Sequence, residues 1–174
     1  RQELARRTLQ SGQPCDLLVL SPGPGKPSEF ALADTISLGL RRGLPIFGVC
    51  LGLQGIVEYF GGRLGQLAFP QHGKLSTVKQ EEDSILWEGL PEEFQVGRYH
   101  SLYAREIPAC LKVTARSQDQ VPMAVEHREL PVWAVQFHPE SIMSSERGNG
   151  QRIINNLIRG LAIDAREKQA ASSI

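Results

Sequence analysis

The sequence predicts an α/β fold: a mostly parallel central sheet flanked by helices, followed by a strand-rich second half. Three observations carry this. Two continuous apolar runs, DLLVLS and PIFGV, each lead through a loop or turn into a helix-like pattern. Such strand–helix–strand–helix order is the signature of a parallel sheet. The second half instead carries short strand-like pieces with alternating polarity, as in KVTA and AVEH, which suits antiparallel, partly solvated strands.

The elements follow in order. RQELARRTLQSG reads as a helix already under way, opening on Arg1 rather than Met, so a piece of a longer polypeptide is expected. Asp16–Ser21 is a buried strand, ended by SPGPGKPSEF, whose prolines and glycines forbid regular structure. Ser28 is the expected N-cap of a helix through about Arg42, with Gly43 at its C′ position. Arg41 and Arg42 read as a solvated helix end, favourable beside the C-terminal dipole. Pro45–Val49 is a second buried strand, and Leu51–Phe60 a helix stopped by Gly61 and Gly62. Strand pieces are expected at Lys74–Lys79, Phe94–Gly97, Leu111–Ala115, Met123–His127 and Val132–Phe137. A last helix runs from about Asn149 to Leu161, with Ile153, Ile154, Leu157, Ile158 and Leu161 on one stripe. Residues 1–163 form one domain and 164–174 a polar, frayed tail.

Composition limits the function classes. The chain has 174 residues, 41% hydrophobic and 22% charged, with 19 basic and 19 acidic side chains in balance. A nucleic-acid footprint would need a clustered basic excess, so no nucleic-acid partner is expected. No apolar run approaches the roughly 20 residues of a membrane span, and none of the N-terminal residues read as a signal peptide. Three cysteines without a C-x-x-C pair argue against a disulfide framework or a metal site and fit a cytoplasmic setting.

The chemistry concentrates in G-V-C-L-G. Strand, sharp turn and helix around Cys50 make a nucleophile elbow, in which residues two places either side must be small. A helix starting at Leu51 would put free N–H groups and a positive dipole end beside the sulfur, so a lowered thiol pKa is expected. The alternative is a buried structural cysteine in a glycine-rich turn. A thiol nucleophile needs a base and a group to orient it. His138 ends the run PVWAVQF and is followed by Pro139-Glu140. In extended backbone, residues i and i+2 face one side, so Glu140 can hold one imidazole nitrogen and leave the other free. Oxyanion donors are available at the Leu51 N–H and in the SPGPGKP loop, where Gly23 permits close approach, although PGPG could equally be a plain rigid loop. His72 and His127 are expected at exposed turns or strand ends. Cys15 and Cys110 read as inert packing, as do Phe47, Phe60, Trp87 and Trp133.

Together LSPGPGKPSEF, PIFGVCLGLQG, GRYHSLYA and AVQFHPESI resemble, in chain order, the triad-type (class I) glutamine amidotransferases. The likeness is strongest to the branch that feeds ammonia to chorismate-using synthases such as anthranilate synthase, and it runs from about Pro14 to Gly160. It implies a flavodoxin-like fold with Cys50 as nucleophile, His138 as base and Glu140 as orienting carboxylate. It further implies an oxyanion and glutamine-binding loop at Gly23, Pro24 and Gly25, a glutamine contact from Gln54, and a backbone segment at Ser101 and Leu102 holding the substrate's amino-acid end. The implied substrate is L-glutamine and the implied partner a chorismate-using synthase domain or subunit. No cofactor is implied in this domain, and Mg²⁺ is expected in the partner synthase. Arg98 and His100 lie in the substrate-side motif and face either the substrate or the synthase. Leu53 stands where many free-standing relatives have His, and C-L-G-L-Q-G with V-E-x-F-G-G looks more like versions fused behind a synthase domain. The family begins with a further strand and helix, so the domain is expected to be incomplete at its N-terminus. The product could be anthranilate, aminodeoxychorismate or a phenazine precursor, and a non-catalytic regulatory domain of the same fold is the remaining alternative.

Overall fold

The computed structural model describes residues 11, 15–145 and 148–171, the last nine by backbone alone. The helix expected at residues 1–12 falls, apart from Ser11, outside the described residues. Among the described residues, seven strands form one mixed sheet in the order β1-β2-β7-β6-β5-β3-β4. They are β1 Leu18–Leu20, β2 Ile46–Val49, β3 Arg63–Gln80, β4 Glu93–Glu106, β5 Leu111–Ser117, β6 Pro122–His127 and β7 Val132–Val135. β1, β2 and β7 are parallel neighbours, and β7, β6, β5, β3 and β4 pair antiparallel. Helices are α1 Leu32–Arg41, α2 Leu51–Tyr59, the short α3 Ile142–Ser145 and α4 Asn149–Ala171. None among the described residues is long and apolar enough to cross a membrane.

β2 and β7 are buried on both faces, which is why their apolar runs are continuous, whereas β1 buries Leu18 and Leu20 and leaves Val19 51% exposed. Successive side chains point to opposite faces of a strand. Ile46 and, on β7, Val132 and Ala134 join Leu18, Leu20, Ile36, Leu53 and Ile56 on one side. Phe47, Val49, Trp133 and Val135 join Trp87, Phe94, Phe137, Ile153 and Leu157 on the other. Cys15, Cys110 and Phe60 pack partly buried against the first cluster, as expected of filler.

Several sequence expectations change. Ser28 does not cap a helix: a 3₁₀ turn spans Pro27–Phe30 with Lys26 as N-cap, and α1 starts only after Ala31, which is left-handed at φ 46°. Proline at N1 presets the tight turn. Gly43 does end α1, at φ 65°. The strands expected at Lys74–Lys79 and Phe94–Gly97 are fragments of a longer antiparallel ribbon, β3 with β4, interrupted by register shifts near Gln66–Gln71 and His72–Lys74. Its exposed alternate residues dilute the apolar signal. α4 continues past Leu161 to Ala171, into the segment expected to fray. Ile158 is exposed, whereas Ile153 and Leu157 are buried. His127 is buried rather than exposed, its ring against Phe60 and its Nδ1 accepting the N–H groups of Glu129 and Leu130. His72 is exposed within β3 rather than in a turn.

Candidate active site

The site forms at the carboxyl ends of adjacent parallel strands, where open sheets commonly hold ligands. β2 pairs with β7 through Val49 and Val135, and the Cys50 N–H donates to the Val135 carbonyl at 2.8 Å. Cys50 therefore leaves β2 beside the point where β7 runs on to Gln136 and His138.

Cys50 has φ 53° and ψ −98°, a strained backbone for a residue with a Cβ. The turn is held by close packing on both sides. A Cβ on Gly48 would lie 2.7 Å from the Gly52 carbonyl carbon, and one on Gly52 would overlap the Leu20 carbonyl oxygen. The small-neighbour rule read from G-V-C-L-G is thus enforced by backbone, which cannot move aside. Gly23 packs against the start of α2: a Cβ there would sit 2.9 Å from Leu51 Cδ2. The PGPG loop therefore lies over the start of α2. Pro24 and Gly25 continue it outward into solvent, Gly25 at φ 78°.

The expected low thiol pKa is overturned. Burial pushes the Cys50 thiol from 9.0 up to about 11, and the negative Glu140 adds to this; the Leu51 N–H and the Gln136 amide pull the other way and lose. The dipole argument was sound in sign but smaller than the desolvation of a sulfur whose residue is 6% exposed. The resting sulfur is a thiol at neutral pH.

His138 and Glu140 meet as the i, i+2 argument requires, Nδ1 to Oε1 at 2.8 Å. A carboxylate only accepts, so Nδ1 carries the proton and a neutral ring keeps the lone pair of Nε2 free. That Nε2 is buried and has no hydrogen-bond partner among the described residues. The segment is clamped to β4 by the His138 N–H on the Gly97 carbonyl (3.2 Å) and the Gly97 N–H on Ser144 Oγ (3.0 Å). Tyr99 packs edge-on to the His138 ring, centroids 5.1 Å apart.

Gln54 and Leu102 also come together, Gln54 Nε2 donating to the Leu102 carbonyl at 3.1 Å, with Ser101 preceding Leu102 on β4. The residue that sequence reasoning missed is Gln136. It is fully buried, its Oε1 accepts from Gln54 Nε2 at 3.4 Å, and its Nε2 donates to the Cys50 sulfur at 3.6 Å. A signal existed: it is the lone polar residue in the buried run VWAVQF, and it lies two residues before His138. Arg98 and His100, left between substrate and partner, are both buried on β4 and bonded to each other in a polar cluster.

A family model for "Glutamine amidotransferase class-I" matches residues 3–159. The chain is 53% identical over 173 residues to an anthranilate synthase from Azospirillum brasilense, covering 98% of this chain and 23% of that protein. It is 46% identical over 144 residues to an aminodeoxychorismate synthase from Streptomyces griseus, covering 81% of this chain and 19% of that protein. The chain thus spans about a fifth to a quarter of these two relatives. Among solved structures, a putative GMP synthase component from Thermoplasma acidophilum superposes with a TM-score of 0.81 at 26% identity, covering 95% of this chain and 82% of that one. With the family model spanning most of its length and a thiol elbow beside a histidine–carboxylate pair at its centre, this chain belongs to the class I glutamine amidotransferases.

Proposed function

We propose that this domain hydrolyses L-glutamine to glutamate and ammonia and passes the ammonia to a chorismate-using synthase, in the first instance anthranilate synthase in tryptophan biosynthesis. The observation that carries the reaction is the elbow thiol of Cys50 at the end of β2, with the free Nε2 of a Glu140-held His138 at the end of the neighbouring strand. In this reading His138 Nε2 takes the thiol proton as the sulfur attacks the amide carbon. Removal at the moment of attack suits a thiol raised to about 11. The Leu51 and Gly23 N–H groups receive the oxyanion. Glu140 stabilises the imidazolium, which returns its proton to the leaving nitrogen; the C–N bond breaks, ammonia departs, and a glutamyl thioester remains on Cys50. Water, deprotonated by His138, attacks the thioester carbon; the C–S bond breaks, glutamate is released, and the imidazolium returns the proton to the Cys50 sulfur. Gln54, Ser101 and Leu102 line the end of the site assigned to the substrate's α-amino and carboxylate groups, and Pro24 and Gly25 hold the loop that carries Gly23.

The likeness to an aminodeoxychorismate synthase supports a second reading, the same chemistry serving that product. The test uses the complete synthase. Cys50→Ala should abolish product formation from glutamine and preserve it from ammonium salts. Loss of both would overturn the division of labour, and the product formed decides between the two readings.

A further inference from the structure

Beneath β4 lies a set of polar groups that the proposed chemistry does not use. Arg98 is 2% exposed. Its Nη1 pairs with Asp119 Oδ1 at 2.8 Å and reaches Ser76 Oγ at 3.4 Å, and its Nε donates to His100 Nε2 at 3.1 Å. Burying a guanidinium is costly, and here its counter-ion Asp119 stays half exposed. Stability alone therefore does not account for it.

The directions of the hydrogen bonds supply a reason. Arginine donates and never accepts, so His100 Nε2 must accept. The ring is then neutral with its proton on Nδ1, and Nδ1 donates to the Leu102 carbonyl at 2.8 Å. Burial, with the adjacent Arg98 charge, holds His100 down at about 4, in keeping with a neutral ring. The Leu102 carbonyl thus takes two donors, His100 from below and Gln54 Nε2 from the side. Gln54, so placed, presents its amide to Gln136, whose own amide meets the Cys50 sulfur. The chain of contacts runs without a break from Asp119, half exposed at the surface, to the thiol.

We infer that Asp119, Arg98 and His100 are positioning residues: they fix the carbonyl of Leu102, and through it Gln54, in the geometry that receives the substrate's amino-acid end. The assignment rests on the glutamine reading above. It predicts a defect in substrate binding rather than in chemistry, because none of the three side chains touches a reacting atom.

The experiment measures kcat and KM for glutamine, and amide hydrogen exchange over residues 99–104, in the complete synthase. His100→Ala removes the donor to Leu102. His100→Asn restores one, since the asparagine amide lies near the place of Nδ1. Asp119→Ala, at the exposed end, perturbs Arg98 without emptying the core. His100→Ala should raise KM about tenfold, equivalent to about 1.4 kcal/mol, with kcat within roughly twofold, and should speed exchange at 99–104 by a similar factor. His100→Asn should recover most of both, and Asp119→Ala should raise KM by roughly threefold, since it removes one net hydrogen bond. Unchanged exchange in His100→Ala, faster exchange with KM unmoved, or a loss confined to kcat would each overturn the inference. Absence of glutamate release from the wild-type synthase would overturn the glutaminase reading instead, while exchange still tests the hold of Asp119, Arg98 and His100 on Leu102.

Discussion

The two walls of the site are built by different means. The β2–α2 wall is set by backbone: Cys50 at φ 53° with Gly48 and Gly52 in contact distance of main-chain atoms. The β4 wall is set by side chains: Arg98 and His100 reach the Leu102 carbonyl along the strand itself, and the network closes only when Asp119 and Gln54 arrive from separate segments of the chain. A backbone-built wall depends on a few residues adjacent in sequence, and a change there is absorbed nowhere. A networked wall spreads its dependence, so single changes loosen it by degrees.

The largest effect should follow from filling the tight wall. Gly52→Ala drives a methyl into the Leu20 carbonyl oxygen. We expect a loss of roughly 3 kcal/mol and a fall in unfolding midpoint of roughly 6–12 °C. A Gly52→Ala protein that unfolds within a degree of wild type would show that the elbow has slack, and the contrast between the walls would fail.

Acid and alkali should separate the walls next. His100 is held at about 4 against an ordinary 6.5, chiefly by burial. Its contribution to stability is complete above pH 6.5 and is lost as the pH falls towards 4. The loss is on the order of 3 kcal/mol. Cys50 is raised from 9.0 to about 11, again chiefly by burial. Its contribution is complete below pH 9 and is lost as the pH rises to about 11, on the order of 3 kcal/mol. Urea titrations across pH should show both limbs, with His100→Asn flattening only the acid one and Cys50→Ser only the alkaline one. A variant that flattens the wrong limb would break the assignment.

The smallest effect concerns orientation of the base. Glu140 is 56% exposed, so solvent screens its hold on His138. Glu140→Gln should slow turnover by roughly tenfold, about 1.4 kcal/mol, while thioester formation still proceeds. Trapping of the acyl group on Cys50 by rapid quench checks this, and unchanged turnover would remove Glu140 from the mechanism.

What was readable in sequence follows the same division. β2 and β7 announced themselves because burial on both faces demands unbroken apolar runs. The His138–Glu140 contact was predictable because it spans two residues of extended chain. Gln136 escaped because its partners are far away in sequence: its bond to Gln54 spans 82 residues and that to Cys50 spans 86. The full length of β3 and β4 was obscured by exposed polar alternates and by register shifts, neither of which leaves a period of two intact. Ser28 misled because the chain turns left-handed at Ala31, which cuts the 3₁₀ turn at Pro27–Phe30 off from α1.

By itself the sequence determined where backbone must be small, strained or continuous: the elbow at Cys50, the loop at Gly23, the buried strands and the histidine–carboxylate pair. Their signals are short-range, each written within a few consecutive residues, although Leu20 and Leu51 complete the packing at Gly52 and Gly23. Only the tertiary structure decided the state of the thiol and the duty of the buried arginine. Both depend on how much water remains around a group and which distant donors replace it. Dipole and motif predicted a thiolate at Cys50; desolvation by strands and helices from across the fold kept it a thiol.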